Sequence, residues 1–246
     1  MKALLKFTWV ELKLLTREPL TLGFVFAYPL IVLFVLAEVF GASHDLTTFR
    51  GTVAINFYMS AYLGVVAAAV GLVVIPIHLA GYRERGVLRR FRASSASPRA
   101  VFGAQVAVSV LLTILGSALL VAVAGVVYKP EFPEDLPATL LAFLLGAVFF
   151  ASFGMLLGTA LRSARTAQGA GLLLFFVMAM LSGSGPPRAV MTSTMRHVSD
   201  ALPLTHIIIA MQDPWIGYGF NAFETLLVVL MTLVAGGVSV RLLRTG

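Results

Sequence analysis

Between Tyr82 and Phe102 the chain reads YRERGVLRRFRASSASPRAVF, with Arg83, Arg85, Arg89, Arg90, Arg92 and Arg99 set against a single acid, Glu84. Guanidinium groups at this density can make charge-assisted, bidentate hydrogen bonds to carboxylates or phosphates. The stretch is therefore a candidate docking surface for an acidic partner as well as a topological signal. Other residues with possible chemistry are scattered. Glu38, Glu224 and His78 could carry protons or ions if they sat inside a membrane. The remaining histidines, His44, His197 and His206, do not share metal-ligand spacing with His78 or one another. Ser184 and His206 could be imagined as the Ser–His pair of an intramembrane protease, but Gly183-Ser184-Gly185 runs into two prolines and no G-x-S-x-G elbow occurs. There is no H-E-x-x-H and no G-x-x-x-x-G-K-[ST] phosphate loop, so ATP is not bound by that motif. The chain has no cysteine, which excludes disulfides, thiolate metal sites and cysteine nucleophiles. Any uphill work must draw on an ion gradient or on a partner.

The elements that carry these residues are apolar. The 246 residues are 59% hydrophobic and 12% charged, against about 25% charged in a soluble domain, and mean hydropathy is +0.95. This is the composition of a polytopic membrane protein. The net charge of +7 does not point to nucleic acid, because the basic residues cap apolar runs rather than cover one soluble face. A bilayer core of ~30 Å needs about 20 apolar residues per helix. Spans are predicted over approximately 20–40, 54–80, 101–127, 138–161, 167–181 and 221–240. Residues 82–100 then form a cytoplasmic loop and 182–220 an extracytoplasmic segment. Lys2, Lys6, Lys13, Arg17, the loop arginines, Arg162, Arg165, Arg241 and Arg244 fall on one side, with only Arg50, Lys129, Arg188 and Arg196 on the other. The positive-inside rule then places both termini in the cytoplasm.

Residues 1–18 read as an amphipathic interfacial helix, with Leu4, Leu5, Trp9, Leu12 and Leu15 on one stripe and Glu11 and Arg17 off it. Lys6, Glu11, Lys13, Arg17 and Glu18 interrupt any signal-peptide core. Pro76 is placed to kink the inner end of the second span. Ser97-Pro98 is a helix-start pattern. Gly154 and Gly158 form a small-xxx-small pair that permits close helix approach. The segment 182–220 is too polar to span and too apolar for a plain loop, which predicts one or two short re-entrant or interfacial helices. The predicted fold class is an all-α membrane protein of six transmembrane helices, N-in and C-in, forming a single transmembrane domain over 1–246.

Taken in order, these features resemble the transmembrane permease subunit of type-2 ATP-binding-cassette exporters. The resemblance rests on Arg17-Glu18-Pro19, Tyr28-Pro29, the run Arg83-Glu84-Arg85-Gly86-Val87-Leu88-Arg89-Arg90-Phe91 followed by Ala93–Pro98, and Leu202-Pro203-Leu204-Thr205-His206. Gly183–Pro187 departs from the family pattern, having a Gly/Pro turn without an aromatic-Pro step. The resemblance implies a second permease copy, or a homologous permease, and two separate ATPase subunits holding ATP and Mg2+, with no cofactor or metal in this chain. It implies that the loop after span two is the coupling element, carried by Arg83, Glu84, Arg85, Gly86, Leu88, Arg89, Arg90, Phe91 and Pro98. The N-terminal helix with Trp9, Glu11 and Arg17 would flank the same contact. Substrate contacts would come from spans one, two and five, with Phe24, Phe26, Tyr28, Phe57, Tyr58, Phe175 and Phe176 as candidates. The apolar spans suit a lipophilic drug, lipid or glycoconjugate better than a hydrated ion. A prokaryotic cell membrane is the expected location. The rival readings are an ion-coupled carrier using Glu38, Glu224 and His78, and a non-transporting scaffold. Neither accounts for the entry helix and the arginine loop together.

Overall fold

The computed structural model describes residues 13, 19–40, 47–86, 98–161 and 163–245. Among them there is no strand, and six helices are long and apolar enough to cross a bilayer. These are α1 (Pro19–Phe40), α2 (Ala54–Glu84), α3 (Pro98–Val127), α4 (Leu136–Ala160), α5 (Ala164–Leu181) and α8 (Ala222–Thr245). Between α5 and α8 lie a 3-10 turn (Arg188–Val190), α6 (Ser193–Asp200) and α7 (Pro203–Trp215). The chain is a multi-pass membrane protein. The N-terminal amphipathic segment lies outside the described residues, apart from Lys13, which is helical.

Helix α2 is the axis of the fold. Within it 94% of the hydrophobic window is buried inside the protein, against 22% for α1 and α8. Its sequence explains this. Gly64, Ala67, Ala68, Ala69 and Gly71 keep one surface thin, so neighbouring backbones come close, which is how helices associate in lipid where no hydrophobic force separates protein from tails. Helix α7 lies across Gly64 through Leu204, Ile208 and Met211, and against Gly146 of α4 through Ile207. Helix α1 shows the opposite pattern. Ile31, Val35 and Val39 point outward at four-residue spacing while Val25, Leu33 and Ala37 are buried. Both faces are apolar, as they must be when the outside is hydrocarbon.

The inner half of α2 changes pitch where the sequence demands it. Pro76 has no N–H for the Leu72 carbonyl, and its ring would crowd that oxygen. The chain answers with a single wide turn, the π-helix Val70–Val74, in which the Ile75 N–H donates to Val70 five residues back. Pro76 then sits in the first turn of the segment Ile75–Glu84. The Gly71 and Leu72 carbonyls lose their ordinary helical donors and abut glycines instead. A Cβ on Gly154 of α4 would collide with the Gly71 oxygen, and one on Gly171 of α5 with the Leu72 oxygen. Only hydrogen on those α-carbons allows the contact, which has the character of a Cα–H···O bond. Gly158 meets Pro76 and Leu79 one turn further in. The inner half of α2 is thereby locked into α4 and α5, while α8 packs along α4, where the Ser239 hydroxyl donates to the Ser152 carbonyl at 2.9 Å.

Helix bounds differ from the sequence expectation at several ends. Helix α2 continues to Glu84 rather than stopping at 80, and α3 starts at Pro98, so the loop between them is shorter than 82–100. Helix α5 begins at Ala164 instead of 167, because the Ser163 hydroxyl caps it by accepting from the Thr166 N–H at 3.2 Å. Helix α4 begins at Leu136 with Asp135 as its cap, accepting from the Ala138 N–H at 3.0 Å. Helix α8 runs past 240 to Thr245.

Candidate functional site

The inner end of α2 is where the predicted coupling residues enter the structure. The helix stops because Gly86 adopts a left-handed φ of 69°, open to glycine at no steric cost, with its N–H returning to the Arg83 carbonyl at 3.1 Å. The three charged residues just before it are committed to local partners. The Arg83 guanidinium donates to the Thr159 carbonyl in the last turn of α4. The Glu84 carboxylate accepts from the Ala164 N–H in the first turn of α5 at 3.2 Å. A cation thus sits at a helix C-terminus and an anion at a helix N-terminus, the two placements the helix dipole favours. Arg85 folds back onto the Gly81 carbonyl at 3.2 Å, with its guanidinium 6.0 Å from the Tyr82 ring centroid. Arg83, Glu84 and Arg85 are solvent-exposed, yet they tie the base of the loop to the α4–α5 turn. Leu88, Arg89, Arg90 and Phe91 lie outside the described residues, as do Trp9, Glu11 and Arg17. Pro98 opens α3.

The aromatic candidates fall into two groups. Phe24 and Tyr28 of α1 stack at 5.4 Å and meet Phe175 and Phe176 of α5 edge-on, Tyr28 lying 5.2 Å from Phe175 and 5.6 Å from Phe176. Of the four, Phe175 is fully buried and Phe176 is 41% exposed. Phe57 and Tyr58 of α2 belong to a second cluster with Phe40 and Phe49 near the outer end. Both are buried, and the Tyr58 hydroxyl donates to the Gly185 carbonyl at 3.2 Å. Phe26 packs against Gly116 of α3, away from α5.

A polar network on the outer side was not singled out from the sequence. Asp213, on α7, is 6% exposed and accepts from Arg50 at 2.6 Å on one oxygen and from Asn221 at 2.6 Å on the other. Its neighbour Gln212 accepts from Arg50 at 3.3 Å and donates to the Phe57 carbonyl at 3.0 Å. Arg50 itself holds a left-handed φ of 55° and stacks 5.2 Å from the Tyr218 ring centroid. Asn56, at the start of α2, is paired twice with Glu131, accepting from its N–H at 2.9 Å and donating to its carboxylate at 2.7 Å. The available signal was Gln212-Asp213 directly after Ile-Ile-Ile-Ala-Met, since a carboxylate on so apolar a helix needs a partner.

The remaining candidates have their own contacts. Glu38 accepts from the Tyr128 hydroxyl at 2.8 Å. Burial first, then the Glu38 carboxylate, raises the Tyr128 pKa and keeps that hydroxyl a donor. Glu224 lies 2.7 Å from His206 Nδ1, whose other nitrogen lies 2.9 Å from the Asp200 carbonyl. Ser184 donates to the Ala179 carbonyl at 2.8 Å. Ser184 and His206 therefore form no catalytic pair. His78 is buried near the inner end of α2, and no metal-holding group of three ligands occurs among the described residues. The family model described as ABC-2 type transporter matches residues 2–214. No curated protein matches the chain.

Proposed function

The chain belongs to the ABC-2 type transporter family, and from that premise we propose that it is the membrane half of an ATP-driven exporter, paired with a second copy of itself. As a permease subunit of an ABC transporter it works with ABC ATPase subunits. In the proposed assembly two of these dock from the cytoplasm onto the loop after α2, and they alone bind ATP and Mg2+. The observation that carries the reading is the anchoring of Arg83 and Glu84 to the α4–α5 turn. A loop held at its base by two helix ends, on a helix locked to α4 and α5 by glycine–carbonyl contacts, transmits a push as one rigid block. Rigid-body motion of such a block is a known way to alternate access. The arginines beyond Gly86 supply charge-assisted contacts to acids on the ATPase.

The cargo proposed is lipophilic: a drug, a lipid or a glycoconjugate. The aromatic face of α1 and α5, with Phe176 exposed, supports this, and in the proposal it borders the path near the pairing axis. Phe57 and Tyr58, in the second aromatic cluster, continue the proposed path beneath α7, which shapes the exit. The location proposed is a prokaryotic cell membrane with both termini inside. The test is a double substitution, R89E/R90E. It should insert and fold normally while losing the ATPase on purification and, with it, ATP-driven transport. Wild-type transport from that variant would remove the docking role.

A further inference from the structure

A cavity of about 460 Å3 opens between α2, α3, α4 and the α3–α4 connection, and we infer that it holds one amine-bearing zwitterionic phospholipid of the outer leaflet as a resident, non-transported ligand. Its volume takes one acyl chain, with the second chain left in the surrounding bilayer through the open side of the cleft. No residue of α1 or α5 lines it, so it is separate from the aromatic face assigned to the cargo.

Its lining changes polarity along the direction of the helices. The deep part is Met59, Leu63, Ala118, Leu140 and Phe143, which suits an acyl chain. Trp215 stands on its wall, a residue type that favours the depth between tails and headgroups. The mouth is formed by the connection Lys129–Pro133, with an ammonium at Lys129 and a carboxylate at Glu131. Part of that carboxylate is held by Asn56, which fixes its position. A head with a phosphate and a primary ammonium meets both charges with opposite sign. An anionic head would satisfy Lys129 but face Glu131. A second copy of the chain would cover the cleft with apolar side chains and leave the paired charges unanswered.

The chain has two tryptophans, Trp9 and Trp215, so W9F leaves Trp215 as the sole reporter. The W9F protein is reconstituted in phosphatidylcholine vesicles carrying increasing mole fractions of acyl-brominated phosphatidylethanolamine or acyl-brominated phosphatidylglycerol, and Trp215 quenching is read. Phosphatidylethanolamine should quench saturably and at several-fold lower mole fraction than phosphatidylglycerol. A118F fills the cleft from the exposed face of α3 and should abolish the saturable part. V121F does the same if A118F fails to fold. K129E should weaken the phosphatidylethanolamine response. Quenching that rises linearly with mole fraction, alike for both lipids and unchanged by A118F, would overturn the site. Stronger quenching by phosphatidylglycerol would overturn the headgroup assignment. No quenching by either lipid, together with loss of chain–chain cross-linking in A118F, would give the cleft to a second copy instead.

Discussion

Glu84 and Asp213 illustrate how differently two carboxylates can serve one chain. Glu84 is exposed and spends its charge on the first turn of α5, a contact worth on the order of 0.3–1 kcal/mol. E84A removes the acceptor, and should therefore leave thermal stability nearly unchanged while lowering coupled ATPase stimulation, because the loop base loses one of its two ties to the α4–α5 turn. Equal stimulation in wild type and E84A would show that this anchor transmits nothing. Asp213 is buried and accepts from Arg50 and Asn221 together, so its loss strands two donors. D213A should cost about 1–3 kcal/mol. The double change R50A/D213A should cost less than the sum of the two singles, since each single leaves one charge alone. Additive losses on denaturant unfolding in detergent would contradict the pairing.

The glycines of α4 and α5 set how closely these helices approach α2. Gly154 and Gly171 face backbone oxygens of the wide turn in α2, which no side-chain rotation can move. G154A and G171A should each destabilise by about 1–3 kcal/mol, the usual cost of overpacking. G169A, on the same helix with open space beside it, should be neutral or gain up to about 1 kcal/mol of helix propensity. Equal thermal shifts in all three would refute the contact. These elements also show how much the sequence disclosed. Six apolar runs were legible because a bilayer fixes their length, and Pro76 flagged the irregular turn. The burial of α2 was not legible, since Val-Val-Ala-Ala-Ala reads alike against lipid and against protein. The same ambiguity hid the α7 seat on Gly64. Among the site residues, the arginine cluster was visible as composition. The local partners of Arg83 and Glu84 were not, because they depend on where α4 ends and α5 begins. Arg50 and Asp213 are 163 positions apart in sequence, and only the fold joins them.

The described residues form a packed block at one end of α2, a polar clamp at its other end and two apolar flanks. The block is α2 with α4 and α5. The clamp is Arg50, Asp213, Asn221 and Gln212. The orientation expected from charge has a clean test, because the chain has no cysteine. In intact cells, F132C, at a side chain 87% exposed, should react with an impermeant maleimide, whereas S95C should react only after the membrane is opened. The reverse pattern would invert the topology. The proposed seat of the ATPase is the basic loop after α2. Affinity purification of the tagged chain from its native membranes tests it most directly. Wild type should bring down an ATPase bearing a phosphate-loop motif in equal amount, and R89E/R90E should come down without it. A wild-type chain that purifies alone and transports on a pH or sodium gradient, or a double variant that keeps its ATPase, would contradict the account.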